Sequence, residues 1–312
     1  MKKNEFTIKS SLYSIRHLKE FTPFKRYVVI PRNLQHIMQI YNLKFMEHFY
    51  PVDALVAADS YNYLKKMVDD HQDVFHHFLK KDVAIFNYVI GRNKPFALIL
   101  PGGAYSDVCS MVEGFAIAEE LNKLGYNAFI GIYSVGMAAR FRGPLDDVNE
   151  ILTYIINHAE KWQIDVSNYM MIGFSAGAHL AASFCTKYWG YDYYHSPKPQ
   201  KLILGYPVID AGSYAHEPSI KRLLIKGEPL KNYSIQNLID KNYPMTYLFQ
   251  AEHDKIVSPM NTKIMADALE KNGVPVKVKL YPGNSHGFAS RKLLTNDSWL
   301  YDALDFFEGF EK

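Results

Sequence analysis

The chain has 312 residues, 48% of them hydrophobic, which is enough for one large α/β domain or for a main domain with an extension. Its net charge is only +3 and it has no dense block of lysine and arginine, so nucleic acid is not expected as a partner. No apolar run is long enough to span a membrane, the charged N-terminus lacks the apolar core of a signal peptide, and only Cys109 and Cys185 are cysteines, so we expect a cytoplasmic protein with reduced thiols.

The first 80 residues differ in pattern from the rest of the chain. Apolar residues recur there at helical spacing, which predicts a helical N-terminal extension over residues 1–80. Its apolar faces need a partner, which is either the rest of the chain or a second copy in a homo-oligomer. The apolar positions form two groups: Leu34, Ile37, Met38, Tyr41, Phe45 and Phe49, and then Ala57, Tyr61, Leu64 and Val68.

From residue 81 to residue 312 the pattern alternates between strands and helices. This alternation predicts an α/β domain with a mostly parallel sheet and helices on both faces. The predicted strands are residues 82–90, 96–100, 127–135, 169–174, 201–209, 245–251 and 276–281. The predicted helices cover residues 112–124, a segment opening at Pro144, the segment after Ser175, a segment starting at Ser258-Pro259 and residues 297–310.

The stretch GFSAG, residues 173–177, lies where a predicted strand becomes a predicted helix. A serine at this turn stands at the N-terminus of the helix, where free backbone N–H groups and the helix dipole favour developing negative charge. The two flanking glycines are expected to relieve the crowded backbone angles of the turn. Gly-x-Ser-x-Gly in a strand–turn–helix context is the pattern of a nucleophile elbow, so Ser175 is the predicted nucleophile.

A serine hydroxyl needs a base, and the base needs an acid that orients it. His286, in the polar, glycine-rich loop after the last predicted strand, is the predicted base. Asp254 follows the strand before it, and its loop leaves the same carboxyl edge of the sheet as Ser175. The chain order serine, acid, histidine also suits Asp254 as the acid. Asp210, which follows another predicted strand, is the rival candidate.

Small residues after the strand 96–100 are expected to bind the oxyanion of a tetrahedral intermediate. Gly102, Gly103 and Ala104 let the backbone approach a substrate closely. The N–H group of Ala176, directly after the predicted nucleophile, is the second expected donor. These four residues are the predicted oxyanion hole.

At these residues the chain resembles the α/β-hydrolase superfamily. Within it, the stretches PGGAYSDVCSMVEGFAIAEELNKLGY, GFSAGAHLA, AEHDKIV and NSHGF are similar to small serine esterases described as acetyl-xylan-esterase or feruloyl-esterase-like lipases. The resemblance covers about residues 80–312. It implies an α/β-hydrolase fold and hydrolysis of a small-molecule carboxylic ester, without a metal or organic cofactor. Relatives in the hormone-sensitive-lipase and formamidase groups start the oxyanion loop with His where this chain has Pro101, which counts against both groups.

The leading hypothesis is a serine carboxylesterase for short, acetyl-type acyl esters, including those of acylated sugars. The oxyanion loop carries Ala104 and the bulky Tyr105, and no long apolar segment is available as a lipase lid. Both points favour a small acyl pocket, with Tyr105 beside it. Two alternatives stay open. One is amide hydrolysis on the same triad, by a peptidase or a formamidase. The other is a non-catalytic ligand-binding homologue, although such proteins typically lose a triad member and this chain has all three.

Overall fold

An eight-stranded sheet forms the centre of the protein. The computed structural model describes residues 5–29, 41–80, 82–140 and 142–310. In chain order the strands are β1 (Phe75–His77), β2 (Ala84–Tyr88), β3 (Lys94–Leu100), β4 (Asn127–Ile132), β5 (Ile164–Phe174), β6 (Lys201–Gly205), β7 (Met245–Ala251) and β8 (Val276–Tyr281). Their order across the sheet is β1-β2-β4-β3-β5-β6-β7-β8.

Parallel pairing dominates this sheet. β2 pairs antiparallel with both β1 and β4, and the remaining neighbours pair parallel. Every residue of β2, β4 and β6 is buried, because the sheet is covered on both faces. The predicted fold class is therefore confirmed. β6 is shorter than predicted: it ends at Gly205, and the next residue, Tyr206, has a φ of +38° that a strand cannot accommodate.

Helices link the strands and cover the sheet. The described α-helices are Leu12–Arg16, Leu43–Met46, Ala54–Asp69, Ser110–Glu113, Phe115–Lys123, Gly143–Asn157, Ala159–Trp162, Ala176–Phe184, Glu217–Leu223, Met260–Lys271 and Trp299–Glu308. Short 3-10 turns cover Lys19–Phe24, Gly136–Ala139, Leu230–Tyr233, Ile235–Asn237 and Ser290–Lys292. The predicted helix 112–124 is thus two helices that meet at Gly114, and the other predicted helices lie near their expected bounds.

The described residues of the N-terminal segment, 5–29 and 41–80, pack on the sheet. Phe21, Phe24 and Tyr61 are buried in the same hydrophobic core as the strands, and the ring of Phe24 lies 5.3 Å from that of Phe86 in β2. The segment also contributes β1, a strand that its helical pattern did not predict. Its division from the rest at residue 80 stays a prediction, and the predicted helical positions Leu34, Ile37 and Met38 lie outside the described residues.

Membrane spans, metal ligands and disulfides were each considered for the described residues. Within the described ranges, no helix is both long and apolar enough to cross a membrane. In the same ranges, no group of three or more His, Cys, Asp or Glu side chains is arranged to hold a metal ion. Cys109 and Cys185 form no disulfide.

Candidate active site

Ser175 occupies a sharp turn between β5 and the helix Ala176–Phe184. Its backbone has φ +52° and ψ −119°, a conformation that residues other than glycine rarely adopt. The turn is held by a hydrogen bond from the Ser175 N–H to the carbonyl of Gly205, at 3.0 Å. This turn places the serine at the carboxyl end of the parallel sheet, where it is only 7% exposed. Ser175 itself therefore carries the unusual backbone angles.

The two glycines of the motif have a different role from the expected one. Neither has a positive φ, but both lie against backbone. A Cβ atom on Gly173 would lie 2.6 Å from the Cα of Ala178, and one on Gly177 would overlap the carbonyl oxygen of Leu100. The glycines therefore allow β5, the helix Ala176–Phe184 and the end of β3 to approach one another closely. Their role is this close approach, and not the relief of crowded backbone angles.

The predicted nucleophile, base and acid form a continuous chain of hydrogen bonds. The Oγ of Ser175 lies 2.9 Å from Nε2 of His286, and Nδ1 of the same ring lies 2.7 Å from Oδ2 of Asp254. The side chain of His286 is 16% exposed and that of Asp254 is fully buried. The ring of Tyr206 packs edge-on against the imidazole, with centroids 4.7 Å apart. The three residues come from the loops after β5, β7 and β8.

The carboxylate of Asp254 is fixed by its own loop. Its Oδ1 accepts hydrogen bonds from the N–H groups of Ile256 and Val257, at 2.9 and 3.1 Å, which leaves Oδ2 to face His286. The rival acid, Asp210, has other partners. It accepts hydrogen bonds from Ser234 Oγ, Gln236 Nε2 and the Tyr214 N–H group.

Asp210 therefore accepts hydrogen bonds that hold together the loop between β6 and β7. Burial raises the pKa of this carboxyl, but the hydrogen bonds that it accepts more than offset this effect, so its pKa lies below the usual value. The structure brings Asp254 to His286, and it holds Asp210 on the loop between β6 and β7.

The oxyanion loop differs from the prediction at one residue. The N–H group of Gly102 donates to Oε2 of Glu113 at 2.7 Å, so it points at this carboxylate and is not available to a substrate. Gly103 and Ala104 line the pocket beside Ser175, with φ values of +133° and +54°. The N–H of Ala176 lies in the first turn of its helix, where no backbone acceptor is available within the helix. The candidate donors are thus Gly103, Ala104 and Ala176.

Glu113 ties the oxyanion loop to the wall behind the imidazole. Its Oε2 accepts from Gly102, and its Oε1 accepts from the hydroxyl of Tyr206, at 2.7 Å in both cases. Burial raises the pKa of Glu113, although both hydrogen bonds and the nearby His286 act in the opposite direction. No local sequence pattern marks Glu113, because its partner Tyr206 lies 93 positions away.

Replacing Glu113 by alanine is expected to lower kcat about tenfold to 100-fold, because two buried donors lose their acceptor and the oxyanion loop shifts. Glu113→Gln keeps an acceptor for Gly102 and can donate to Tyr206, so we expect it to retain most of the activity. Glu120→Ala, which removes a buried carboxylate that pairs with Tyr301 and Lys123, is the matched control. Unchanged kcat in a folded Glu113→Ala variant would rule out the positioning role.

A pocket of about 210 Å³ opens above Ser175 and His286. Besides the residues already described, its lining includes Tyr50 and Pro51 from the N-terminal segment, and Cys109 and Val112 beside the oxyanion loop. Two further loops contribute. His216 comes from the segment between β6 and β7, where its Nδ1 lies 2.7 Å from the hydroxyl of Ser219, and Ile256 comes from the Asp254 loop. No local pattern in the sequence marks these lining residues.

Tyr105 lies in the core and not beside the acyl pocket, where its bulk was expected to limit the acyl group. Its ring is buried against Tyr133, and its hydroxyl lies 3.1 Å from Nδ1 of His179. Nε2 of His179 donates to the carbonyl of Tyr233 at 2.9 Å, and burial lowers the pKa of this histidine to about 4. His179 is therefore a neutral core residue, and Tyr105 does not line the pocket above Ser175.

Comparison with known proteins gives the family. A model described as the prolyl oligopeptidase family matches residues 141–310, which is more than half of the chain. The chain belongs to the prolyl oligopeptidase family. A second model, BD-FAE, matches residues 82–190. Both matches are to α/β hydrolases, so the predicted superfamily is confirmed.

Individual relatives of this member of the prolyl oligopeptidase family carry esterase or xylan-related names. The chain is 31% identical over 202 residues to endo-1,4-beta-xylanase B of Butyrivibrio fibrisolvens, and 29% identical over 200 residues to an acetylxylan esterase of Xylanibacter ruminicola. Each match covers 61% of this chain, but only 32% and 40% of the respective relatives. The chain thus spans well under half the length of these two proteins.

A solved structure is also similar. The acetyl ester-xyloside bifunctional hydrolase of Caldicellulosiruptor lactoaceticus superposes with a TM-score of 0.64 and is 28% identical in sequence. The match covers 73% of this chain and 88% of that protein. The resemblance to acetyl-xylan-esterase-like enzymes, expected from the sequence motifs, is confirmed by this structure and by the acetylxylan esterase.

Proposed function

We propose that the protein is a serine carboxylesterase that hydrolyses short acyl esters, of which acetylated sugars are the favoured class. The observation that carries this proposal is the hydrogen-bonded chain from Ser175 through His286 to Asp254. Relatives named as an acetylxylan esterase and an acetyl ester-xyloside hydrolase support the choice of acyl group and of a sugar alcohol.

The reaction proceeds in two halves. Ser175 Oγ attacks the ester carbonyl carbon while His286 Nε2 takes its proton, and Asp254 holds the Nδ1–H group in position. The N–H groups of Gly103, Ala104 and Ala176 stabilise the negative oxygen of the tetrahedral intermediate. His286 then protonates the leaving alcohol, which leaves an acyl-serine. Water attacks this acyl-enzyme with the same histidine as base, and the carboxylic acid is released.

Measuring kcat/KM on p-nitrophenyl esters from acetyl to decanoyl tests this proposal. We expect the highest value at acetyl or a similarly short acyl group, because the pocket of about 210 Å³ must hold part of the alcohol as well. A long acyl tunnel would add about 0.8 kcal/mol per buried methylene, so kcat/KM would rise with chain length. A maximum at octanoyl or beyond would contradict the short-acyl assignment.

Amide hydrolysis is the second candidate, because the match to the prolyl oligopeptidase family covers residues 141–310. Peptidyl p-nitroanilides, assayed beside the esters and with Ser175→Ala as the control for background hydrolysis, separate the two activities. We expect the esters to be hydrolysed much faster. Turnover of the anilides at the rate of the acetyl ester would favour a peptidase.

A further inference from the structure

Residues 47–54 reach the pocket from a part of the chain that precedes both family matches, which begin at residues 82 and 141. Tyr50 and Pro51 line the pocket together with Ser175 and His286. Pro51 also packs beside the histidine loop, since a Cβ atom on Gly287 would lie 3.4 Å from its Cγ. The N-terminal segment is thus part of the catalytic site.

Arg291, in the 3-10 turn Ser290–Lys292 that follows the His286 loop, donates hydrogen bonds to this segment. Its Nε donates to the carbonyl of Val52 at 3.1 Å, and its Nη2 donates to the carbonyl of Glu47 at 3.2 Å. A hydrogen bond also joins the two ends of the segment, because Oε1 of Glu47 accepts from the Ala54 N–H at 2.9 Å. The position of Tyr50 is therefore fixed by two backbone anchors, one on each side of it.

The surroundings of Tyr50 suit an acyl chain. Partial burial, with smaller contributions from Cys109 and Asp107 nearby, raises the pKa of its phenol to about 12, so the side chain stays neutral. The pocket residues Pro51, Cys109 and Val112 add apolar surface to the same lining. Tyr105, the residue that was expected to limit the acyl group, is buried elsewhere.

We propose that residues 47–54 form the acyl-side wall of the pocket and that the ring of Tyr50 sets the upper limit on acyl chain length. This inference rests on the proposed esterase function. Its physical basis is size: the ring occupies space that an extended acyl chain would need. Removing the ring opens that space, and each methylene that becomes buried there raises kcat/KM about fourfold.

The test compares kcat/KM for p-nitrophenyl butyrate with that for p-nitrophenyl acetate. In Tyr50→Ala we expect this ratio to rise about 15-fold over the wild-type protein, from two newly buried methylenes. Arg291→Gln, which releases the segment, is expected to raise the ratio in the same direction by a smaller factor. Tyr50→Phe keeps the ring, and Tyr13→Ala removes an exposed tyrosine from the same N-terminal region, so both should leave the ratio within about twofold of wild type.

A second measurement does not depend on ester turnover. The rates at which methyl and hexyl p-nitrophenyl phosphonates label Ser175, followed by intact mass, give a short-to-long ratio for each variant. We expect Tyr50→Ala to favour the hexyl probe. An unchanged ratio in Tyr50→Ala, with acetyl hydrolysis and labelling intact, overturns the wall and leaves the esterase function standing. If the wild-type protein neither hydrolyses esters nor is labelled, the proposed function fails, and this inference fails with it.

Discussion

Ser175→Ala and His286→Ala are each expected to lower ester hydrolysis by about 10³-fold or more, because the members of a triad act as a unit. The hydroxyl is the atom that attacks, and the imidazole 2.9 Å away is the group placed to take its proton. The double variant should be little worse than either single one, since losing one member already disables the other. Initial rates on p-nitrophenyl acetate, with circular dichroism to verify folding, measure the effect.

His253→Ala is the matched control for the histidine. This side chain is exposed and directly precedes Asp254, but it takes no part in the hydrogen-bonded chain. We expect its activity to stay close to wild type. If a folded Ser175→Ala or His286→Ala variant kept near-wild-type turnover, the assignment of these two residues would be wrong.

Asp254→Asn is expected to lower kcat by about 10³- to 10⁴-fold. Oδ1 of Asp254 accepts two backbone N–H groups, so the amide oxygen of an asparagine would take that position. Its NH₂ group would then face Nδ1 of His286 and force this nitrogen to accept. The proton would move to Nε2, which faces Ser175 and could no longer act as a base.

Asp210→Asn is the matched comparison, because this carboxylate also follows a strand. Its partners are Ser234, Gln236 and the Tyr214 N–H group, so we expect kcat within a few-fold of wild type. The free energy of unfolding should fall by about 1–2 kcal/mol, since charged hydrogen bonds are replaced by neutral ones. Urea denaturation separates this loss from catalysis. The reverse ranking of the two variants in kcat would transfer the acid role to Asp210.

Features that are marked by a pattern of neighbouring residues could be predicted from the sequence. The strands have continuous apolar runs, and Gly-x-Ser-x-Gly sits at a strand-to-helix boundary, so the fold class and the position of Ser175 follow from neighbouring residues. Asp254 and His286 could be proposed because loops after parallel strands meet at one sheet edge. Asp210 satisfies the same rule, so the place of Asp254 after the penultimate strand favoured it without excluding its rival.

Features that depend on contacts between residues far apart in the chain could not be predicted from the sequence. Gly102 was predicted as an oxyanion donor, but Glu113 occupies its N–H group, and no pattern in the loop indicates that pairing. Tyr105 was expected at the acyl pocket, but its partner His179 lies 74 positions away and holds it in the core. The short strand Phe75–His77 was missed because three residues carry too little periodicity to distinguish a strand from its helical surroundings.

The two hydrogen bonds of Arg291 also bear on how the protein is made. They join residues 239 and 244 positions apart, so they have the largest sequence separation among the side-chain contacts described for the site. During synthesis from the N-terminus, Glu47 and Val52 leave the ribosome long before Arg291 does. The substrate pocket therefore cannot be closed on a nascent chain until nearly all of it has emerged, and contacts of such high order form slowly.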